Sequence, residues 1–292
     1  MPGKLPCLAV LAVLLSIGTV SKAHSQSSVW KIEIDDHQLF LGGTVHVLSA
    51  ADYPLPKEFD QAYNSSHTVI LEANIEQLKS QEFQQQVLSQ MIYTDGTNLR
   101  NLLSDETYAK LEAFCAKRGI PASSLTMFKP GMVSVTLTLL ELQRLGLMGA
   151  GVDAHFSARA KKDGKRLGML ETVEQQLSFL VAMGQGREDE LINYTLRDIG
   201  KLQELLDSIK AAWRTGDLDA LDHTTLEPLK EEFPELYRVL LVSRNETWLP
   251  MIEAMLYSDP VELVLVGALH LVGDQGLLQQ LTDRGYSVSR VQ

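Results

Sequence analysis

Two histidines occupy the same place in a repeated pattern, each three residues after a glycine that follows an apolar run. The first pattern is Gly43-Thr-Val-His46 and the second is Gly267-Ala-Leu-His270. Imidazole nitrogens are among the commonest ligands of zinc, manganese and cobalt ions in proteins. A single histidine after a buried strand is more often a hydrogen-bonded structural residue. Two copies in equivalent positions favour a functional site.

Two glutamates, Glu72 and Glu171, follow further apolar runs directly. An ionised carboxylate near a protein core is costly without a partner, so each of these side chains needs a cation, a metal ion or hydrogen-bond donors. A carboxylate can complete a metal site with His46 and His270, and another can take the proton of a metal-bound water. The alternative for each glutamate is a salt bridge or a contact with a helix N-terminus.

Arg244 and Asn245 are adjacent at the end of the predicted helical region. Together they could bind a substrate carboxylate or stabilise an oxyanion. Alternatively, Asn245 caps a helix that continues into Ile252. Asp153 and His155 stand at the head of another predicted helix, where Asp153 fits the helix dipole and His155 can face solvent.

Apolar runs bounded by turn residues predict the elements that must position these side chains. The predicted strands are Val29–Ile34, Leu39–Gly42, Thr68–Leu71, Arg166–Leu170, Val261–Val266 and Tyr286–Val291. Two of them, Thr68–Leu71 and Val261–Val266, are nearly continuous in apolar residues, which is typical of strands covered on both faces. Ligands in open α/β sheets bind at the carboxyl ends of the strands. We therefore expect both histidines and both glutamates at one edge of a sheet.

Helical periodicity fills much of the remaining chain. Helices are predicted at Asp105–Arg118, Pro130–Leu145, Val152–Lys162, Thr172–Met183 and Glu188–Trp213. Ser104 is a suitable N-cap for the first of them, and Gly119 a suitable residue to end it. The stretch from about residue 185 to 257 contains no predicted strand. The predicted fold class is α/β (α+β), a mixed central sheet flanked by helices, with a large helical insertion before the last strands.

The first 23 residues have the features of a signal peptide: a lysine, an apolar block and the small-x-small pattern Ser21-Lys-Ala23. The apolar block, Leu8–Val20, is shorter than the roughly 18 to 20 residues that a membrane span needs. We therefore expect cleavage, export to the periplasm or the extracellular space, and no stable membrane insertion afterwards. Residues 24–292 are expected to form a single domain. Its only cysteine, Cys115, excludes an intrachain disulfide.

The formal net charge of −11 argues against a nucleic-acid partner and against binding to an anionic membrane surface. The acidic residues are spread along the chain without a block of like charge, which is typical of a soluble protein surface. A peptide or protein substrate remains compatible with this composition.

An ordered set of short motifs resembles the TraB/GumN family across nearly the whole chain after residue 23. The motifs are Phe40-Leu-Gly-Gly-Thr-Val-His46, Val69-Ile-Leu-Glu72, Gly151-Val-Asp-Ala-His-Phe156, Gly168-Met-Leu-Glu-Thr-Val-Glu174, Arg244-Asn245, Val266-Gly-Ala-Leu-His270, Gly273-Asp-Gln-Gly-Leu-Leu278 and Arg284-Gly-Tyr286. The resemblance implies membership of a wider group that includes the Tiki metalloproteases. In that group the paired Gly-x-x-His motifs and a glutamate are regarded as the active-site signature, with manganese or cobalt as the metal.

Carried over by position, these roles fall on His46, His270 and Glu72 as metal-site residues, with zinc as a further candidate ion. Glu171, Arg244 and Asn245 are additional catalytic candidates. We expect metal-dependent hydrolysis, with Glu72 favoured as the base and Arg244 or Asn245 steadying the oxyanion.

Two alternatives stay open. The first is a periplasmic protein that binds a peptide, haem or metal without turnover, because relatives include haem-binding and pheromone-inhibiting proteins. The second is a metal-independent hydrolase of esters or lactones, which a distant resemblance to erythromycin-esterase-like enzymes allows.

Overall fold

The computed structural model describes residues 27–292, so the predicted signal peptide lies outside the described residues. The described chain contains two sheets. Their strands are β1 (Val29–Ile34), β2 (His37–Thr44), β3 (Val47–Leu48), β4 (Thr68–Leu71), β5 (Gly149–Ala150), β6 (Arg166–Met169), β7 (Glu262–Gly267) and β8 (Ser287–Arg290). All six predicted strands are present within a few residues of their predicted bounds.

The larger sheet has six strands in the order β6-β4-β7-β2-β1-β8. Four neighbours, β6, β4, β7 and β2, run parallel, whereas β1 is antiparallel to both β2 and β8. The sheet is therefore mixed and flanked by helices, which confirms the predicted α/β class. The four parallel strands end at one edge, where Thr44 pairs with Gly267 and Leu71 with Leu265 and Met169. The smaller sheet is the antiparallel pair β3-β5.

Helices make up most of the rest of the described chain. They are α1 (Lys57–Ser65), α2 (Ile75–Leu78), α3 (Gln81–Met91), α4 (Leu99–Leu102), α5 (Asp105–Ala116), α6 (Pro130–Arg144), α7 (Val152–Asp163), α8 (Val173–Ala182), α9 (Glu188–Ile199), α10 (Leu202–Thr215), α11 (Leu218–Leu221), α12 (Glu227–Glu232), α13 (Pro234–Tyr237), α14 (Ser243–Leu256) and α15 (Leu277–Asp283). Short 3₁₀ turns lie at Ala50–Asp52, Ala122–Leu125 and Ala268–Leu271, and π-helical turns at Asp222–Leu226 and Arg238–Val242. In residues 27–292 no helix is both long and apolar enough to cross a membrane.

Local sequence explains several helix boundaries. Ser104 caps α5, its hydroxyl accepting a hydrogen bond from the backbone N–H of Thr107 at 3.2 Å. The prediction of a single helix over Glu188–Trp213 is wrong, because the helix is interrupted at Gly200-Lys201, which separates α9 from α10. Glycine is a poor residue for a helix interior, and each of the two helices buries its own apolar side.

The central strands bury both of their faces. Alternate residues of β7, Leu263 and Leu265, pack with Phe59 and Trp213 on one side of the sheet. On the other side, Val264 and Val266 belong to a second cluster, formed mainly by side chains of α14 and α15: Trp248, Leu249, Ile252, Leu256, Leu277, Leu278 and Leu281. This two-sided burial explains the continuous apolar runs, and it leaves the carboxyl ends of the strands as the place where polar side chains gather.

Candidate active site

The polar side chains predicted at the strand ends lie at the carboxyl edge of the parallel strands. Glu72 directly follows β4, and Glu171 lies two residues beyond β6. His46 lies two residues beyond β2, and His270 belongs to the 3₁₀ turn that follows β7. The topology therefore places the four side chains at one edge of the sheet, as the sequence predicts.

Arg244 joins three of these groups. Its Nη2 donates to Glu72 Oε2 at 2.6 Å and to Glu171 Oε1 at 2.7 Å, and its Nε donates to Glu171 Oε2 at 3.1 Å. Its Nη1 lies 3.0 Å from Nε2 of His270. The guanidinium also stacks over the buried ring of Trp248, 4.5 Å from its centroid. Both glutamates thus form a salt bridge, the alternative stated for each of them, and Arg244 is the partner of both.

The position of Arg244 depends on the helix that carries it. A π-helical turn, Arg238–Val242, runs directly into α14. Such turns insert an extra residue into a helix and occur frequently at functional sites. The carbonyl of Leu240 within this turn accepts a further hydrogen bond from Arg244 Nη1 at 3.1 Å. Arg244 and Trp248 are four residues apart and therefore share one face of α14.

Asn245 fixes the orientation and the tautomer of His270. Its Nδ2 donates to the backbone carbonyls of His270 at 3.1 Å and Gln275 at 2.8 Å, which leaves Oδ1 facing Nδ1 of His270 at 2.7 Å. An amide oxygen can only accept, so Nδ1 carries the proton and Nε2 carries the lone pair. The alternative interpretation of Asn245 as an N-cap is wrong, because helical residues precede α14 and Asn245 is buried within it. Both amide hydrogens are used, so we assign Asn245 to positioning His270.

His46 lies at the mouth of the site, with 58% of its side chain exposed. Its Nδ1 lies 3.3 Å from Oδ1 of Asp153, an ionic contact outside hydrogen-bond geometry. Asp153 reaches His46 because α7 begins against the preceding backbone, where a Cβ on Gly151 would meet the His46 carbonyl at 2.4 Å. Only glycine permits this approach. Asp153 is a site residue that the sequence analysis assigned only to the helix dipole.

Glu72 links the strand ends to one another. Its Oε1 accepts a hydrogen bond of 2.6 Å from the backbone N–H of Gly267, at the end of the neighbouring strand β7. Burial raises the pKa of Glu72, but the positive charge of Arg244 and the hydrogen bond from the Gly267 N–H outweigh burial and hold the pKa below its ordinary value. Glu72 is therefore ionised at neutral pH.

The pKa values of the two histidines are shifted in opposite directions. Burial lowers the pKa of His270 to about 3, with Glu72 opposing the shift and Arg244 reinforcing it. Burial lowers the pKa of His46 only weakly, because the side chain is 58% exposed, and Asp153 outweighs it, so the pKa is raised above its ordinary value. At neutral pH the site thus contains a neutral imidazole beside the ionised Glu72 and a protonated imidazole at its mouth.

The three predicted metal-site residues converge around Gly267. A Cβ added there would lie 3.3 Å from Glu72 Oε1, 3.5 Å from His46 Nε2 and 3.6 Å from His270 Cδ2. An oxygen atom faces each Nδ1, as it does in many metal-bound histidines, but Nε2 of His270 accepts from Arg244. The residues therefore match a divalent ion in donor type.

The distances between these side chains decide whether they could hold an ion as they stand. Nε2 of His270 lies 3.9 Å from Glu72 Oε1, and Arg244 donates to both side chains. Among residues 27–292, no three histidine, cysteine, aspartate or glutamate side chains are close enough together to hold a metal ion as they stand. An ion at its usual distance of about 2.0–2.2 Å from nitrogen and oxygen ligands requires Arg244 to give way.

A cleft of about 290 Å³ opens beside His46 and Glu72. Its other lining residues are Thr44, Leu71, Ala73, Ile75, Leu78, Asp153, Gln176 and Leu265. The sequence analysis did not identify Thr44 or the residues of α2 as part of a site. Thr44 lies within the Gly43–His46 motif, which is the one signal in the sequence that points to it.

The described chain matches the model of one protein family. That model, the TraB/PrgY/gumN family, matches residues 28–290 and so covers nearly the whole chain. No curated protein sequence matches the chain.

Proposed function

The chain belongs to the TraB/PrgY/gumN family, and from that premise we propose that it is an exported, metal-dependent hydrolase that cleaves peptide bonds. One observation carries the proposal. Two imidazoles, each anchored at Nδ1 by an oxygen atom, converge with the carboxylate of Glu72 around Gly267. The proposal that the protein is exported rests on the predicted signal peptide in residues 1–23.

His46, His270 and Glu72 are the residues that would hold the ion, for which manganese or cobalt is the first choice and zinc the next. A bound divalent ion supplies an acidified water and polarises the substrate carbonyl. His270 is neutral at neutral pH, so its Nε2 becomes a ligand once Nη1 of Arg244 moves away, whereas His46 must also lose a proton.

The two glutamates have different surroundings, which supports different roles for them. Glu171 is bound by Arg244 through both oxygens and has a side chain only 3% exposed. Glu72 lines the cleft and can meet a substrate there. We therefore assign two roles to Glu72, completing the ligands of the ion and accepting the proton of the attacking water, and we assign Glu171 to hold Arg244.

Arg244 is the residue that stabilises negative charge on the reacting carbonyl oxygen. Its positive charge is held in a low-dielectric setting by Glu171 and by the face of Trp248, where it acts more strongly than in water. Asn245 acts through His270 and does not touch the substrate.

A second candidate is metal-independent hydrolysis of an ester or lactone. The observation that favours it is the position of Arg244, whose guanidinium already places a positive charge between Glu72 and His270. Protonated His46, held by Asp153, would then protonate the leaving group. Insensitivity to chelators distinguishes this candidate from the first.

The test uses the purified mature chain, a peptide library and mass spectrometry, with manganese, cobalt, zinc or EDTA. We expect metal-stimulated cleavage that falls by about 100-fold or more in His270→Ala and in Glu72→Gln. His223→Ala is the matched control, because His223 is exposed and pairs only with Glu227 on the surface. Equal cleavage by the wild type and both site variants overturns the proposal.

A metal analysis of the same samples separates the alternatives. A stoichiometric ion in the wild type that is lost from a His46→Ala/His270→Ala double variant supports the metal site. Cleavage of esters that persists in EDTA favours the second candidate. A co-purifying ligand without any turnover, with or without metal, favours a binding protein.

A further inference from the structure

The cleft beside His46 and Glu72 has an apolar wall and polar atoms without partners. The wall consists of Leu71, Ala73, Ile75, Leu78 and Leu265. At about 290 Å³ the cleft is at the small end of ligand pockets, which measure roughly 300–1,000 Å³. It is therefore large enough for one amino-acid residue and too small for a long segment.

Thr44 is 3% exposed, and its hydroxyl has no hydrogen-bond partner among residues 27–292. Oδ1 of Asp153 is likewise buried and makes an ionic contact but no hydrogen bond within the described chain. A buried polar atom without a partner costs free energy. Two unpartnered oxygens on the lining of one cleft, of which the carboxylate oxygen can only accept, therefore indicate a ligand that brings an N–H donor.

We propose that this cleft is a substrate subsite for an aliphatic side chain of the size of leucine or methionine, adjacent to the bond that is cleaved. A backbone N–H of the same residue donates to the hydroxyl of Thr44. Ile75 and Leu78 of α2 determine the specificity, because they form the outer part of the apolar wall and are only partly buried. That a bond is cleaved beside this residue rests on the proposed function, whereas binding of the side chain in the cleft does not.

The apolar wall also defines what the subsite rejects. A charged side chain in contact with Leu71, Ala73 and Leu265 would lose its hydration. The charged groups of the cleft would compensate it poorly, because Glu72 is already paired with Arg244 and Asp153 with His46. Alanine would leave most of the wall uncovered and would bind more weakly, by about tenfold or more. The expected order is leucine or methionine, then alanine, with glutamate and lysine excluded.

The binding experiment needs no turnover. Wild-type protein in EDTA, with ¹³C-labelled isoleucine and leucine methyl groups, is titrated with the N-acetyl, N-methylamide derivatives of leucine, methionine, alanine, glutamate and lysine. We expect saturable shifts of the Ile75 and Leu78 methyl signals with the leucine and methionine derivatives only. Shifts confined to other methyl groups, or equal affinity for the glutamate or lysine derivative, overturn the proposal.

Two variants sharpen the result. Thr44→Val keeps the shape and removes the unpartnered hydroxyl, so it should leave stability unchanged or raised and weaken binding of the leucine derivative by about tenfold. If Thr44 served only the fold, Thr44→Val would not affect binding of the leucine derivative. Leu78→Ala enlarges the subsite and should shift the preference towards a phenylalanine derivative, whereas Leu88→Ala, on the exposed side of α3, should not.

Cleavage-site profiling separates this inference from the proposed function. Selective binding of the leucine derivative without any cleavage supports the subsite and contradicts the hydrolase. Metal-dependent cleavage without a preference for leucine or methionine beside the cut, unaltered in Leu78→Ala, supports the hydrolase and overturns the subsite.

Discussion

Replacing Arg244 with methionine removes the cation that joins Glu72, Glu171 and His270 and keeps a long side chain over Trp248. The side chains of Glu72 and Glu171 are 11% and 3% exposed, so both carboxylates would be left buried and unpaired. Breaking a buried ion pair by removing one partner costs about 3–5 kcal/mol. We expect the free energy of unfolding to fall by that amount at neutral pH, with a melting temperature lower by roughly 10 °C.

Urea unfolding followed by tryptophan fluorescence, in EDTA to remove metal ions, measures this loss. Arg284→Met is the matched control, because Arg284 pairs with Glu253 at the surface, where the two side chains are 46% and 22% exposed. A surface pair contributes at most about 1 kcal/mol. The difference between the two variants therefore isolates the effect of burial.

The pH dependence gives a second check. The lowered pKa of Glu72 stabilises the wild type above the ordinary pKa of glutamate, and this stabilisation is lost as the pH falls through the folded-state pKa. Arg244→Met lacks the stabilisation, so its deficit should narrow on acidification. A deficit no larger than that of Arg284→Met, or one independent of pH, would refute the assignment of Arg244 as the buried partner of both glutamates. Adding Glu171→Gln should recover about 1 kcal/mol or more.

Three further predictions concern the groups around His270. Because its pKa is lowered to about 3, the unfolded state takes up a proton before the folded state does, and stability is lost as the pH falls from about 6.5 towards the folded-state value. In metal-free buffer, His270→Gln should reduce the slope of unfolding free energy against pH by about 1.4 kcal/mol per unit in that window, and an unchanged slope would contradict burial of a neutral imidazole. Asn245→Leu removes the acceptor for Nδ1 and should weaken metal binding by about 10–100-fold, measured by competition with a chelating dye, whereas an unaltered affinity would show that the amide has no positioning role. Gly267→Ala should change unfolding free energy by less than about 1 kcal/mol, since its φ of −51° is open to alanine, but should weaken metal binding because the added Cβ lies 3.3 Å from Glu72 and 3.5 Å from His46. Wild-type affinity in that variant would mean that the three groups do not converge there on a metal ion.

The sheet and its functional edge could be predicted from the sequence because burial leaves a direct pattern. Thr68–Leu71 and the strand ending at Gly267 are apolar on both faces, and each is followed at once by a polar group. Parallel strands end together, so the patterns alone place Glu72 and His270 at one edge. The pair β3-β5 was not predicted, since strands of two residues carry no periodicity.

The internal arrangement of the site could not be predicted in the same way. Nothing in Arg244-Asn245 indicates that one residue ion-pairs with two glutamates and the other positions His270, because both roles depend on how α14 packs on the sheet. Asp153 illustrates a second limit. A carboxylate in the first turn of a helix is explained by the helix dipole, and only the close approach at Gly151 brings it to His46.

The π-helical turn Arg238–Val242 makes the site sensitive to the number of residues in the chain as well as to their identity. Deleting one residue there would restore an ordinary α-helical turn, rotating the following helix by about 100° and shifting it by about 1.5 Å along its axis. Arg244, Asn245 and Trp248 would then leave the strand ends together, although none of them had been mutated. A single-residue deletion in this turn should therefore be as damaging as substitution of Arg244. Among homologues, we expect the spacing between this turn and the arginine to be held constant even where the side chains of the turn vary.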